Sequence, residues 1–508
     1  MRDDQPSSEA VVTLSPGSLL DAPAALPPAP GHPRPPSAPR PRVRARPPLD
    51  RAGVRRTAQA LRGARAGRWA LGFILLATAA IVARAAGGAS ILVPRAAQAF
   101  AAWEAGPLHL IGLDAPSGQT LGAAFSGLLA AMLAAYAIVL AAIRTLPARV
   151  LVAAVVVVHL IVLLSPPMQL TDVFNYLGYA RLGALHDLNP YRHVIAQELF
   201  DPVSTFATWD NLRSPYGWLF TALTYPLAFV SLPIAYWIIK IATVAVALCF
   251  VALVGDCARR LGRDWRHAVA FVALNPIYIV YALGGFHNDF LMLTPMLGSI
   301  WLMLAGRDRL SGAVLMLGVA IKFTAVLLAP FLLLAMRDRR RQVRWTTGAA
   351  AAAAALGALS LALFGPALPN LAQQSAVLTG TSIPNLFGLA AGIGGATPLL
   401  LKLAELGVVA VVAHQLLRGR DWLTGAGWAT LALIASLGWL MPWYVVWLLP
   451  LAALAGGRRL RRVALALTVF LVLAFVPQTG YWMSEHGIQL LNTAAGRRAL
   501  SLQDKLAG

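Results

Sequence analysis

The chain has 508 residues, of which 58% are hydrophobic and only 12% charged. That charged share is about half of what an ordinary soluble domain carries, which excludes a soluble multidomain enzyme and a wholly disordered chain and indicates a polytopic membrane protein. The net charge of +21 does not point to nucleic acid, because the arginines fall in short clusters between apolar runs, and two cysteines, Cys249 and Cys257, are too few for a disulfide framework or a thiolate metal site.

Residues 1–68 are rich in Pro, Ala, Ser and Arg without a periodic apolar face, so they read as a disordered basic tail. No short apolar stretch lies near Met1, so it is not a cleavable signal peptide. Arg40 to Arg68 lead into the first apolar run and hold the tail in the cytoplasm. Apolar runs then follow at 69–90, 120–143, 148–165, 233–255, 267–284, 290–305, 346–365, 397–417, 423–441, 443–457 and 463–478. The 214–231 stretch is interrupted by Pro215 and Pro226 and reads as a partial or interfacial helix. The membrane domain spans 69–478, with about 11–13 transmembrane helices, and 479–508 form a short polar C-terminal tail.

Arginine clusters set the expected orientation. They lie at Arg144/Arg149, Arg259/Arg260/Arg263/Arg266, Arg307/Arg309, Arg337 to Arg344, Arg418/Arg420 and Arg458 to Arg462. With all of these cytoplasmic, the outer loops are about 91–119, 166–232, 285–289, 366–396 and the turn at Pro442. Parity then constrains 311–336. Basic clusters flank this single apolar stretch on both sides, so it must enter and return. The break is expected at Lys322 in GVAIKFTAVLLAP, giving a short half-helix hairpin whose apex lysine reaches water or an anion.

Four clusters hold the candidate chemistry. In the long loop 166–232, Asp172 follows directly on the 148–165 span. Val173, Tyr176, Leu177 and Ala180 recur at helical spacing, predicting an amphipathic helix along the membrane surface that ends near Asn189–Pro190–Tyr191. Asp172 either accepts a proton from an attacking hydroxyl or caps the helix starting at Val173. GGFHNDF places His287, Asn288 and Asp289 in a very short outer turn, able to bind a sugar hydroxyl or phosphate, or simply to cap. In RSPYGWLF, Arg213 either pairs with a lipid phosphate or snorkels. In GWLMPWYVVWLLP, Trp439, Trp443, Tyr444 and Trp447 either anchor the interface or stack on a sugar. His–Asn–Asp in a row does not converge on one ion, so no metal is expected. No P-loop or serine-hydrolase motif is present, and no cofactor is expected.

The stretches TDVFNYLGYARLGALHDLNPY, SPYG, LNPIYIVYALGGFHNDFLML, GVAIKFTAVLLAPFLLLA and MPWYVVWLLP occur in an order that resembles GT-C glycosyltransferases. Over roughly 148–460 the chain resembles the polyprenyl-phosphate-mannose-dependent α-(1→6)-mannosyltransferases of actinobacterial lipomannan assembly. That resemblance implies a GT-C fold, a polyprenyl-phosphate sugar donor, a glycan or glycolipid acceptor, and an inverting displacement with Asp172 as base. It matches the family's membrane lysine to Lys322 and its H-N-D turn to His287–Asn288–Asp289. Lys322, Arg181 and Arg213 are the candidates to hold the donor phosphate. Tyr176, Asn189, Tyr191, Tyr216, His287, Asn288, Asp289, Trp443 and Tyr444 are the expected substrate contacts. A minimal GT-C module carries its acid in the first outer loop. Here a loop with Glu104 and Asp114 comes earlier, so 69–143 reads as an added helix pair, and Glu104 or Asp114 competes with Asp172 if that reading fails. A multi-span transporter or lipid-linked sugar flippase is the alternative of a different class, and a scaffold anchored by its aromatics is a third.

Overall fold

The computed structural model describes residues 51–95, 100–111, 118–369, 377–419 and 421–507. The chain runs through α1 (Arg51–Ala85), α2 (Gly118–Ala142) and α3 (Ala148–Leu163), then α4 (Asp172–Ala184) and α5 (Trp218–Thr224). Next come α6 (Leu232–Arg260), α7 (Trp265–Ala273), α8 (Asp289–Leu304), α9 (Asp308–Ile321), α10 (Ala329–Ala335) and α11 (Arg339–Phe364). The last part holds α12 (Ile383–Ala390), α13 (Pro398–Arg418), α14 (Trp422–Ser436), α15 (Val445–Leu454), α16 (Arg458–Phe475), α17 (Pro477–Glu485) and α18 (Ala494–Ala507). No strand occurs among the described residues.

Five helices are long and apolar enough to cross a bilayer, and α16 with α17, bent by 62° at their junction, make a sixth if taken as one span. Other apolar runs fold as helices of 10–17 residues, α3, α8 and α14 among them. The chain is an all-α polytopic membrane protein. α1 begins at Arg51, inside the stretch expected to be disordered. The 267–284 run is not one helix. Pro276 lacks an N–H, so α7 stops before it, and Asn275 rebuilds the backbone by accepting from Ile277 N while donating to Thr468 Oγ1. A π-helical turn, Tyr278–Leu283, then leads into the His287 turn.

Contacts gather the basic clusters at one end of the bundle. Gly67 sits against Ala142 and Leu146. Arg266 donates to the Leu146 carbonyl at 3.4 Å, and the Arg260 guanidinium lies 4.6 Å over the Trp301 ring. Arg263 rests on Gly456, and Gly427 packs against Leu460. Arg420 lies outside the described residues.

The segment after Asp308 does turn back. α9 runs beside α8, where Ser299 and Ser311 exchange hydroxyl-to-carbonyl hydrogen bonds of 2.8 Å. It ends at Lys322, whose φ of −154° and ψ of 117° are extended. The chain resumes as a 3₁₀ turn, Phe323–Leu328, and α10. By Arg341 it is back beside its start, with the guanidinium 2.7 Å from buried Asp308.

Candidate active site

Asp172 is the first residue of α4, but its side chain is not used as a cap. The N-cap position is Thr171, and Asp172 Oδ2 instead lies 3.2 Å from His287 Nδ1. The helix is also not a surface helix. Every residue from Val173 to Ala180 is buried, because the loop that follows folds over it. Tyr216 and Phe220 pack edge-on to Tyr176, and the Tyr179 hydroxyl donates to the Leu212 carbonyl at 2.7 Å. Spacing showed one apolar face. The loop supplies a cover for the other.

His287 is clamped. Its ring stacks on Trp443 at 3.7 Å with an interplanar angle of 15°. Behind it, a methyl added at Gly285 would fall 2.4 Å from Nε2. The residue before it, Phe286, has a φ of 52°, a left-handed conformation that a bulky residue adopts only when its surroundings hold it there. The turn is tied to α4 as well, since Asn288 N donates to Tyr176 Oη at 3.2 Å. His287 Nε2 and Asn288 Nδ2 are buried and have no protein partner, an arrangement that a bound polar group would complete.

Asp289 opens α8 and is 1% exposed. Its Oδ1 accepts from Lys322 Nζ at 2.8 Å and from Trp447 Nε1 at 2.5 Å. Lys322 keeps some access, with its side chain 23% exposed. It lies 5.1 Å from the Trp447 ring and 5.5 Å from that of Tyr444. One of its three ammonium donors is taken by Asp289, which leaves the others for a ligand. The SPYG glycine explains its own presence here. Gly217 N donates to the Ile321 carbonyl at 3.1 Å, and a methyl on Gly217 would lie 2.2 Å from the Ala320 carbonyl. The loop can touch the broken end of α9 only through glycine.

Asp172, Asn288, Asp289, Lys322, Tyr216, Trp443 and Tyr444 line one chamber of about 50 Å³. The other expected site residues stand elsewhere. Arg181 is spent on Asp201, Nε to Oδ1 at 2.8 Å, with His186 Nε2 2.9 Å from Oδ2 of the same carboxylate. Burial pushes Asp201 up, but Arg181 and His186 outweigh it and hold the carboxyl below its ordinary value. Arg213 is exposed beside the chamber wall. Tyr176 is buried behind the wall. Tyr191 donates toward the Tyr216 carbonyl at 3.1 Å, and Asn189 Nδ2 to the Phe364 carbonyl at 2.7 Å, so both brace the loop. Glu104 is fully buried in an ion pair with Arg95 and accepts from Ala101 N at 3.2 Å, away from the chamber. Asp114 lies outside the described residues.

The C-terminal segment contributes what the sequence did not suggest. Leu506 of α18 lines the chamber with Trp209, Leu212, Val377 and Trp439, and Asn211 N donates to the Leu506 carbonyl at 3.1 Å. The only signal was an amphipathic pattern in 494–507, too short to assign to a partner.

An acid and a lysine line one chamber inside a helical membrane domain, and comparison with known proteins gives the class as a membrane glycosyltransferase. The MptA_B profile, described as the N-terminal domain of α-(1→6)-mannopyranosyltransferase, matches residues 69–338, and that of glycosyltransferase family 87 matches residues 215–474. The chain is 26% identical over 361 residues to α-(1→6)-mannopyranosyltransferase A of Mycobacterium tuberculosis, covering 63% of this chain and 68% of that protein. It is 26% identical over 373 residues to a probable α-(1→6)-mannopyranosyltransferase of Mycolicibacterium smegmatis, covering 60% and 65%. It is 30% identical over 177 residues to α-(1→6)-mannopyranosyltransferase A of Corynebacterium glutamicum, covering 33% and 35%. No solved structure matches significantly. The chain belongs to the MptA_B family within the GT-C glycosyltransferases, which sets aside the transporter and scaffold readings.

Proposed function

We propose that the protein transfers mannose from a polyprenyl-phosphate donor to a glycan or glycolipid acceptor, by a single inverting displacement in the chamber. The observation that carries this reading is the presence of Asp172 and Lys322 on the walls of one cavity. The acceptor hydroxyl loses its proton to the Asp172 carboxylate as its oxygen bonds to the anomeric carbon. The bond from that carbon to the phosphate oxygen breaks, and polyprenyl phosphate departs as an anion. That leaving group needs positive charge more than a proton, and Lys322 supplies it. His287 Nδ1–H orients Asp172, and Asn288 Nδ2 offers a donor to the sugar.

The apolar hollow lined by Met292, Met296, Leu328, Leu433 and Trp447 lies behind the chamber wall, where Trp447 donates to Asp289, and its apolar lining favours contact with a prenyl tail. The basic clusters at the other end of the bundle support an orientation with the chamber on the extracytoplasmic side. The names of the relatives support mannose and an α-(1→6) linkage. Purified protein in detergent, given radiolabelled polyprenyl-phosphate mannose and a mannoside acceptor, is expected to form a product with the anomeric configuration opposite to that of the donor. No transfer without a sealed vesicle, or retention of configuration, overturns the reading.

A further inference from the structure

A second cleft, of about 280 Å³, lies at the other end of the helices that frame the chamber. Arg144 follows α2 and precedes α3, and Asp172 follows α3, whose 16 residues separate the two by about 24 Å. Arg263 follows α6, and the cleft residues Ala453, Ala455 and Gly456 close α15, which starts beside Tyr444 in the chamber. Arg461, in the first turn of α16, completes the lining with His267 and Asp264.

Three guanidinium groups from three separate segments therefore converge on one hollow. Among the described residues none of Arg144, Arg263 and Arg461 has a carboxylate within ion-pair distance. Asp264, the one acid in the lining, is already committed. Its Oδ1 caps α7 by accepting from Arg266 N at 3.0 Å and His267 N at 3.4 Å, and lies 3.8 Å from Arg266 Nε. The floor is shaped for a guanidinium, since a methyl at Gly456 would lie 2.8 Å from Arg263 Nη2. Arg461 is half-buried. Arg144 and Arg263 are exposed, so solvent screens part of the repulsion among the three like charges, and an anion seated between them relieves the rest. Arginine forks match phosphate oxygens in pairs, and the hollow lies between helix ends beside the apolar side chains of Leu140 and Ile143.

We infer that this cleft binds a phosphate group, carried either by an anionic lipid headgroup or by a free phosphorylated molecule. The site is separate from the transfer chamber and does not depend on the reading of that chamber.

The test is thermal unfolding of the full chain in detergent at fixed ionic strength, with added phosphatidylglycerol, phosphatidylcholine or inorganic phosphate. Wild-type protein is expected to gain about 2–4 °C with phosphatidylglycerol and nothing with phosphatidylcholine. An equal gain with inorganic phosphate alone assigns the free ion as sufficient ligand, whereas a gain with the lipid only assigns the headgroup. The Arg144→Gln/Arg263→Gln/Arg461→Gln variant is expected to lose the gain. Gly456→Asp, which places a carboxylate against Arg263, is the second variant and should also lose it while retaining sugar transfer. Equal gains with both lipids and none with phosphate, or gains that survive in both variants, overturn the inference.

Discussion

The two ends of the bundle handle charge in opposite ways. At the chamber, Lys322 is matched to Asp289 and Asp172 to His287, at 2.8 and 3.2 Å. At the basic end, Arg341 is matched to Asp308, but Arg144, Arg263 and Arg461 line one cleft with no carboxylate, among the described residues, at ion-pair distance from any of them. Pairing and vacancy have different consequences. A paired charge is held in one geometry, ready for a reacting group whose position matters to a fraction of an ångström. An unpaired cluster holds no fixed geometry of its own and depends on a ligand. Positive charge alone therefore does not single out the proposed transfer site, which is set apart by buried polar atoms without a protein partner beside a paired acid.

Substitutions sharpen that contrast. The largest effect is expected at Asp172. Asp172→Asn keeps the shape and removes the base, and kcat is expected to fall by about 10²- to 10⁴-fold in a transfer assay. Gly285→Ala comes next. The methyl displaces His287 from its stack on Trp443, and transfer is expected to drop by about 10²-fold with the chain still folded. Third, Lys322→Met leaves Asp289 buried with only Trp447 as partner, at a cost of about 3 kcal/mol in unfolding experiments. The Lys322→Met/Asp289→Asn double variant is expected to recover most of that stability but none of the donor affinity. A single variant as stable as wild type shows the pair to be dispensable.

The smallest effect is at Asp210, in the loop over α4. Burial pushes its carboxyl up to about 6, and Oδ1 has no partner. The native state then holds this proton more tightly than the unfolded chain, so stability falls as pH rises from about 4 to 6 and stays lower above. Asp210→Asn is expected to stabilise the protein at pH 7 by about 1 kcal/mol, allowing for its partial exposure, and to do nothing at pH 3. A gain that is equal at both pH values contradicts the assignment.

Much of this was legible in the sequence, and for physical reasons. Apolar runs and arginine clusters report the bilayer, an external solvent that acts on every segment alike. The return at Lys322 followed from parity, since two basic clusters cannot flank one crossing. What stayed hidden were partnerships between distant residues. Spacing cannot tell that Arg181 is claimed by Asp201, that Glu104 is claimed by Arg95, or that Asp289 takes both Lys322 and Trp447. Nor can a half-apolar helix announce its second cover, which is why α4 read as a surface helix and α18 as a tail. The glycines of SPYG and GGFHND were visible as letters, but their reason, the close approach of Gly217 to α9 and of Gly285 to His287, exists only in three dimensions.

Asp172 and Lys322 are proposed to act on one lipid-linked donor in one chamber, in different roles. The most direct measurement is donor binding and turnover on the same detergent-purified samples of wild type, Asp172→Asn and Lys322→Ala, with radiolabelled polyprenyl-phosphate mannose. Asp172→Asn is expected to retain the donor and lose turnover, while Lys322→Ala is expected to weaken donor retention. Undiminished turnover in Asp172→Asn, or unchanged donor retention in Lys322→Ala, would contradict that division of roles.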